Sequence, residues 1–136
     1  MSVLIATESI RGATWQVATV IAESLAQHGF EVTQGTLPDL EHAKDFDAIV
    51  IGSDVEGDGW SVVARETCTR HAPALSQRLV WLFAGLADDS TASDNIDLSE
   101  LAATLKARDY KNFPSTDNDQ ILSWATLIAD ELDGHS

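Results

Sequence analysis

The chain is poor in lysine and cysteine and has no long apolar run. Three lysines and five arginines stand against 22 acidic residues among 136, giving a formal net charge of −14. A surface of that sign repels polyanions, so neither nucleic acid nor an anionic membrane is an expected partner. The single cysteine, Cys68, forbids an intrachain disulfide, and its place in an expected helix makes it a small core residue rather than a reactive thiol. No apolar run approaches the roughly 18 residues of a membrane span, so insertion into a bilayer is not expected. The first segment turns polar after Ala6, too early for a signal peptide, and a cytoplasmic protein is the expectation. Internal repeats and linkers are absent too. With 44% hydrophobic residues, the chain reads as one domain, 1–136, long enough to bury a real core.

What is present begins at the N-terminus. Ser2-Val3-Leu4-Ile5-Ala6 is a continuous β-favouring run that suits a strand covered on both faces. It breaks into a loop rich in hydroxyls, Ser9-Ile10-Arg11-Gly12-Ala13-Thr14, followed by Val17, Ala18, Ile21, Ala22 and Leu25 at helical spacing. The helix is expected from about Thr14 to His28, stopped by Gly29. A loop aimed at a helix start meets unpaired N–H groups and the positive end of the helix dipole, so it can seat a phosphate without lysine. Ser9 and Thr14 can add hydroxyl donors, and Gly12 lets the backbone come close to a ligand. The same residues also fit an ordinary turn with Thr14 as N-cap. The loop is neither a Walker A motif, since Gly-Lys-Ser/Thr is missing, nor a GxGxxG fingerprint, since it holds one glycine.

Further along, Phe30 to Gln34 alternates like an edge strand, and Pro38-Asp39-Leu40 marks a turn. Asp47 to Gly52 is a second apolar run, which makes the first helix a crossover between parallel strands. A second loop, Ser53 to Trp60, leads to a helix over about 60–72, with Val63, Thr67 and Cys68 inward and Pro73 ending it. Arg78 to Ala84 is the fourth strand, and Gly85 opens a third loop. Residues 88–95 read as a polar, acidic loop. Asp97-Leu98-Ser99-Glu100 resembles a capping box for a short helix to Lys106. A fifth strand is expected near Arg108 to Phe113, and a last helix, about Asp119 to Leu132, has Leu122, Ala125, Ile128, Ala129 and Leu132 on one face. All three loops leave the carboxyl ends of strands, where ligands sit in open parallel sheets.

Ser9-Ile10-Arg11-Gly12-Ala13-Thr14, placed directly after an N-terminal strand, resembles the FMN-phosphate loop of the flavodoxin family. It is closest to the S-x-x-G-x-T form of flavodoxin-domain proteins related to menaquinone-dependent protoporphyrinogen dehydrogenase. The likeness continues through Asp47 to Val55, Trp60, Arg70-His71-Ala72 and Val80-Trp81-Leu82-Phe83, covering most of residues 1–85. It implies an α/β fold, a flavodoxin-like three-layer sandwich around a five-stranded parallel sheet of order 2-1-3-4-5. It further implies FMN as cofactor, bound noncovalently, with the phosphate on Ser9, Ile10, Arg11, Gly12, Ala13 and Thr14. The flavin ring would lie near Asp54, Val55, Glu56, Gly57, Asp58, Gly59 and Trp60, and near the backbone N–H groups of Ala84, Gly85 and Leu86. Trp60 could stack on the ring, or simply pack against the sheet. Arg11 could pair with the phosphate or remain a solvated loop cation.

Asp54, Glu56 and Asp58 depart from the family, whose members usually carry small, aromatic or basic residues there. Negative charge beside a flavin disfavours its anionic reduced form and weakens FMN affinity. Asp54-Val55-Glu56-Gly57-Asp58-Gly59 also matches the first half of a calcium loop, but Arg65 stands where the bidentate glutamate belongs, so no metal is expected. The histidines, at 28, 42, 71 and 135, show neither metal-pair spacing nor a nearby serine and acid; His71 fits a helix-end cap or surface role. With no nucleophile beside a base, no catalytic residue is assigned, and any chemistry would be the flavin's. The resemblance implies electron transfer with a redox protein partner, a basic one if the acidity is a docking face. An enzyme of the protoporphyrinogen dehydrogenase type and a flavin-free binding domain are the alternatives. The spread of the acids along the chain fits general solvation or high-salt adaptation better than a docking face.

Overall fold

The computed structural model describes residues 2–8, 10, 12–56, 59–86, 99–114 and 118–134. Strands β1 (Ser2–Thr7), β2 (Glu31–Thr36), β3 (Ala48–Glu56), β4 (Gly59–Trp60), β5 (Leu79–Leu86) and β6 (Asp109–Pro114) form its sheet. The helices are α1 (Ala13–Gln27), α2 (Val62–Arg70), α3 (Ala72–Leu75), α4 (Ser99–Leu105) and α5 (Asn118–Gly134), with a 3-10 segment, η1, over Leu37–Asp45.

Five strands are parallel in the order β2-β1-β3-β5-β6, and the two-residue β4 pairs antiparallel to β3. Without β4 this is the expected 2-1-3-4-5 arrangement. The apolar runs explain it: Val3, Leu4, Ile5 and Ala6 in β1, and Ala48 to Ile51 in β3, are buried on both faces of the sheet. Alternation sorts the side chains into two layers. Val3, Ile5, Val50, Trp81 and Phe83 meet Val17, Ile21 and Leu25 of α1 and Ile121, Trp124 and Ile128 of α5. Leu4, Ile49, Ile51, Val80 and Leu82 meet Leu37 and Leu40 of η1, Ala64 and Cys68 of α2, and Leu105 of α4. The alternating β2 lies at the edge, paired among the described residues only with β1.

Several boundaries differ from the sequence reading, each for a local reason. α2 starts after Ser61, whose hydroxyl caps it, so Ala64 and Cys68 turn inward while Val63 is exposed. Pro73 opens the short α3 instead of ending α2, a position where its missing N–H costs nothing, and His71 joins the two helices. The turn expected at Pro38 is the start of η1, held by a reciprocal cap between Thr36 and Asp39. On α5 the buried stripe runs through Ile121 and Trp124, leaving Leu122 exposed. Trp124 fixes that rotation. Its ring lies 6.4 Å from that of Phe83 and 5.3 Å from that of Phe113, and its Nε1 donates to Asp109 at 3.0 Å. The proposed capping box at 97–100 falls partly outside the described residues.

Burial pushes the Cys68 thiol up from 9.0 to about 12. The native state therefore holds this proton more tightly than the unfolded chain. Its contribution to stability is complete below pH 9 and is lost as pH rises from there toward 12. A disulfide reagent at pH 8 is expected to label Cys68 only as fast as the chain opens, so rapid stoichiometric labelling without denaturant would contradict this burial.

Candidate functional site

The site is built where the strand order reverses. From β1 the chain crosses through α1 to β2 on one side, and β3 returns on the other, so the carboxyl ends of β1 and β3 flank a crevice. Thr7 closes β1, and Gly12, four residues before Gln16, begins α1 by accepting the Gln16 N–H at 3.1 Å.

Gly12 is the N-cap, not Thr14. It sits at φ 90° and ψ −169°, a conformation that side-chain-bearing residues rarely adopt, and among the described residues beyond its chain neighbours nothing lies within 4 Å of where its Cβ would stand. The turn therefore needs glycine for its shape, and no described residue fills the space beside it. Thr14, the second helical residue, is buried, Ala13 is partly buried, and Ile10 is exposed. Ser9 and Arg11 lie outside the described residues.

The helix starts differ in how they are capped. Thr36 and Asp39 cap η1, Ser61 caps α2, and α1 has only Gly12 with no acid in its first turn. The positive end of α1 has thus no capping side chain from its own N-cap residue and no first-turn acid.

Glu8, which the sequence reading did not single out, spans the crevice. Its Oε1 accepts a hydrogen bond from the Ser61 hydroxyl at 2.7 Å, and its Oε2 accepts one from the Ser53 hydroxyl at 3.3 Å. The Ser61 N–H donates to Ser53 Oγ at 3.4 Å, and the Ala64 N–H donates to Ser61 Oγ at 3.2 Å. One partly buried carboxylate so ties the end of β1 to β3 and to the start of α2. The available signal was Ser61 itself, a preferred N-cap two residues before the exposed Val63; the pairing with Glu8, 53 residues away, leaves no local trace.

The second loop is largely a hairpin. β3 runs on to Glu56, and Gly59–Trp60 folds back on it in the register Val55↔Trp60 and Glu56↔Gly59, with Gly57 and Asp58 outside the described residues. An extended arm spreads alternate residues along a strand, unlike a calcium loop that wraps them around an ion. Trp60 does not open a helix, and its indole is fully buried with Ile49, Ile51, Cys68 and Leu82. It packs against the sheet, the second of the two roles weighed for it, and presents no open face for stacking. The third loop begins later than the sequence reading has it. Ala84 and Gly85 are inside β5, flanked by Ser53 and Asp54 on one side and by Asn112 and Phe113 on the other. Their backbone belongs to the sheet, and only Leu86, paired with Pro114 alone, stands at the strand end.

A sequence model of the flavodoxin domain matches residues 4–121. The chain belongs to the flavodoxin family. No curated protein matches it by sequence. Among solved structures it is similar to a flavodoxin from the domain Archaea, at 14% identity and a TM-score of 0.72, covering 98% of this chain and 99% of that one. It is similar to a cysteine-to-serine mutant of flavodoxin from Pseudomonas aeruginosa at 19% identity and a TM-score of 0.73, covering 98% of this chain and 99% of that one. It is also similar to rubredoxin oxygen:oxidoreductase from Desulfovibrio gigas, at 21% and 0.69, where 98% of this flavodoxin-family chain matches 36% of the larger protein. At these identities the likeness is one of fold. Among the described residues of this family member, no helix is long and apolar enough to cross a membrane.

Proposed function

We propose that this chain binds FMN noncovalently and passes electrons between protein partners. The phosphate is assigned to the turn from Ser9 to Thr14 at the start of α1, through helix N–H groups and hydroxyls. The ring is assigned to the space between the hairpin arm from Asp54 to Gly59 and the end of β5 at Leu86. What carries the reading is Gly12: a positive-φ turn whose Cβ position no described residue approaches, at the N-terminus of a helix without an acidic first turn, beside the crevice where the strand order reverses. Membership of the flavodoxin family supports the same cofactor. When bound, the flavin supplies the electron transfer. The residues of this chain bind it, orient it and set the charge around it.

Titration with FMN is the direct test, followed by the fluorescence of the four tryptophans. Quenching that saturates at micromolar FMN, in both low and high salt, is the expected outcome. No binding in either condition would replace this reading with a flavin-free binding domain. Turnover of protoporphyrinogen with a quinone acceptor by the loaded protein would replace the carrier with an enzyme.

A further inference from the structure

The Glu8 carboxylate is anchored at the crevice between the carboxyl ends of β1 and β3. It belongs to the residue immediately before the proposed phosphate turn, and hydrogen bonds from Ser61 at 2.7 Å and Ser53 at 3.3 Å hold it between the ends of β1 and β3. Both donors are buried, and Ser61 is itself fixed as the cap of α2. The carboxylate therefore has a defended position, with the start of α2 as its own source of positive potential. No arginine or lysine pairs with it among the described residues: the ion pairs there involve His42 and Arg108.

We infer that Glu8 is a specificity-determining residue of the proposed flavin site, which penalises the phosphate dianion and so narrows the preference for FMN over riboflavin. The inference rests on the flavin reading above and deepens it. A fixed negative charge at the entrance to the phosphate turn repels a dianion but leaves the uncharged ribityl chain of riboflavin almost unaffected. Two opposed demands meet there. The helix start attracts the phosphate, and the neighbouring carboxylate reduces that attraction.

The two contributions of Glu8 separate under substitution. In Glu8→Gln the amide oxygen still accepts from Ser61, and the amide nitrogen can donate to Ser53, whose hydroxyl can accept, so the link survives without the charge. In Glu8→Ala both the charge and the link are lost. Dissociation constants for FMN and for riboflavin, measured on the wild type and both variants at low ionic strength, distinguish charge from scaffold. Glu8→Gln is expected to tighten FMN by about 10-fold while changing riboflavin by less than about 2-fold. In about 1 M salt, where the screening length is roughly 3 Å, the FMN gain should shrink markedly. Glu8→Ala is expected to weaken riboflavin as well, because the start of α2 loses its tie to β1.

An FMN-to-riboflavin affinity ratio that is the same in Glu8→Gln and wild type would overturn this role while leaving flavin binding intact. A parallel change in both flavins would do the same, since it would mark Glu8 as scaffold only. A gain that persists undiminished in high salt would remove its electrostatic cause. If neither flavin binds to any of the three proteins, the flavin reading fails and takes this inference with it.

Discussion

Replacing Gly52 by valine is expected to leave little soluble, folded protein. Gly52 sits in β3 opposite Phe83 of β5, and a Cβ built on it falls into the Phe83 ring. The ring has nowhere to go: it is fully buried and packs edge-on against Trp124 at 6.4 Å. Overpacking a tight core costs about 1–3 kcal/mol and sometimes more, a large part of the roughly 5–15 kcal/mol that holds a domain together. Gly52→Ala, with one added carbon, should still fold, with a stability in urea lower by about 2–3 kcal/mol. Phe83→Leu in the same chain should return part of that loss, a coupling that a double-mutant cycle measures. An unshifted urea midpoint for Gly52→Ala would mean that Phe83 does not lie over Gly52.

Gly52 also marks how far the sequence could be read. That it belonged to an apolar strand was legible, because Ala48 to Gly52 is continuous and apolar in a way that suits a doubly covered strand; that the strand does not stop there but runs on to Glu56 was not. Which side chain would close over it was not, because Phe83 comes from a later strand and register is a tertiary property. The same division runs through the rest of the molecule. β1, β3 and β5 announce themselves by apolar runs, and α1 by the spacing of Val17, Ile21 and Leu25, all buried as expected. β6 is obscure because Asp-Tyr-Lys-Asn-Phe-Pro lies at the sheet edge, and only Phe113 of its described side chains is fully buried. The hairpin of β3 and β4 hid behind Asp54, Glu56, Gly57, Asp58 and Gly59. Those residues read as a loop, while extended pairing depends on the partner strand.

At the site, local chemistry was legible and distant chemistry was not. One glycine between hydroxyl residues before a helix identified the turn, and Gly12 indeed holds a backbone shape that suits glycine. Thr14 was offered as an N-cap because threonine prefers that place, but the helix begins one residue earlier and encloses it. The helix expected from about Trp60 begins only after Ser61; pairing with Val55 draws the Trp60 backbone into β4, and its ring faces the core. The Glu8 bridge joins residues 45 and 53 positions apart, a relation that no window of sequence contains.

An acid placed in the first turn of α1 should push folding and binding in opposite directions. Ala13 is the first helical residue, partly exposed, and the turn it opens contains no acidic side chain. In Ala13→Asp the new carboxylate faces the positive end of the helix dipole, which should raise stability without ligand by about 0.3–1 kcal/mol. The same charge would occupy the potential proposed for the phosphate and repel the dianion directly. FMN affinity should then fall on the order of 100-fold at low salt, the larger effect because the repulsion acts on two charges at short range. Riboflavin, lacking the phosphate, should bind Ala13→Asp nearly as it binds the wild type. Thermal melts without ligand and paired flavin titrations read the two effects independently. A variant that melts higher yet binds FMN unchanged would place the phosphate somewhere other than the start of α1. One that melts lower and loses both flavins would report damage to the turn, with no bearing on charge. Only stability gained together with FMN alone lost fits a helix end whose N–H groups serve a ligand rather than the fold.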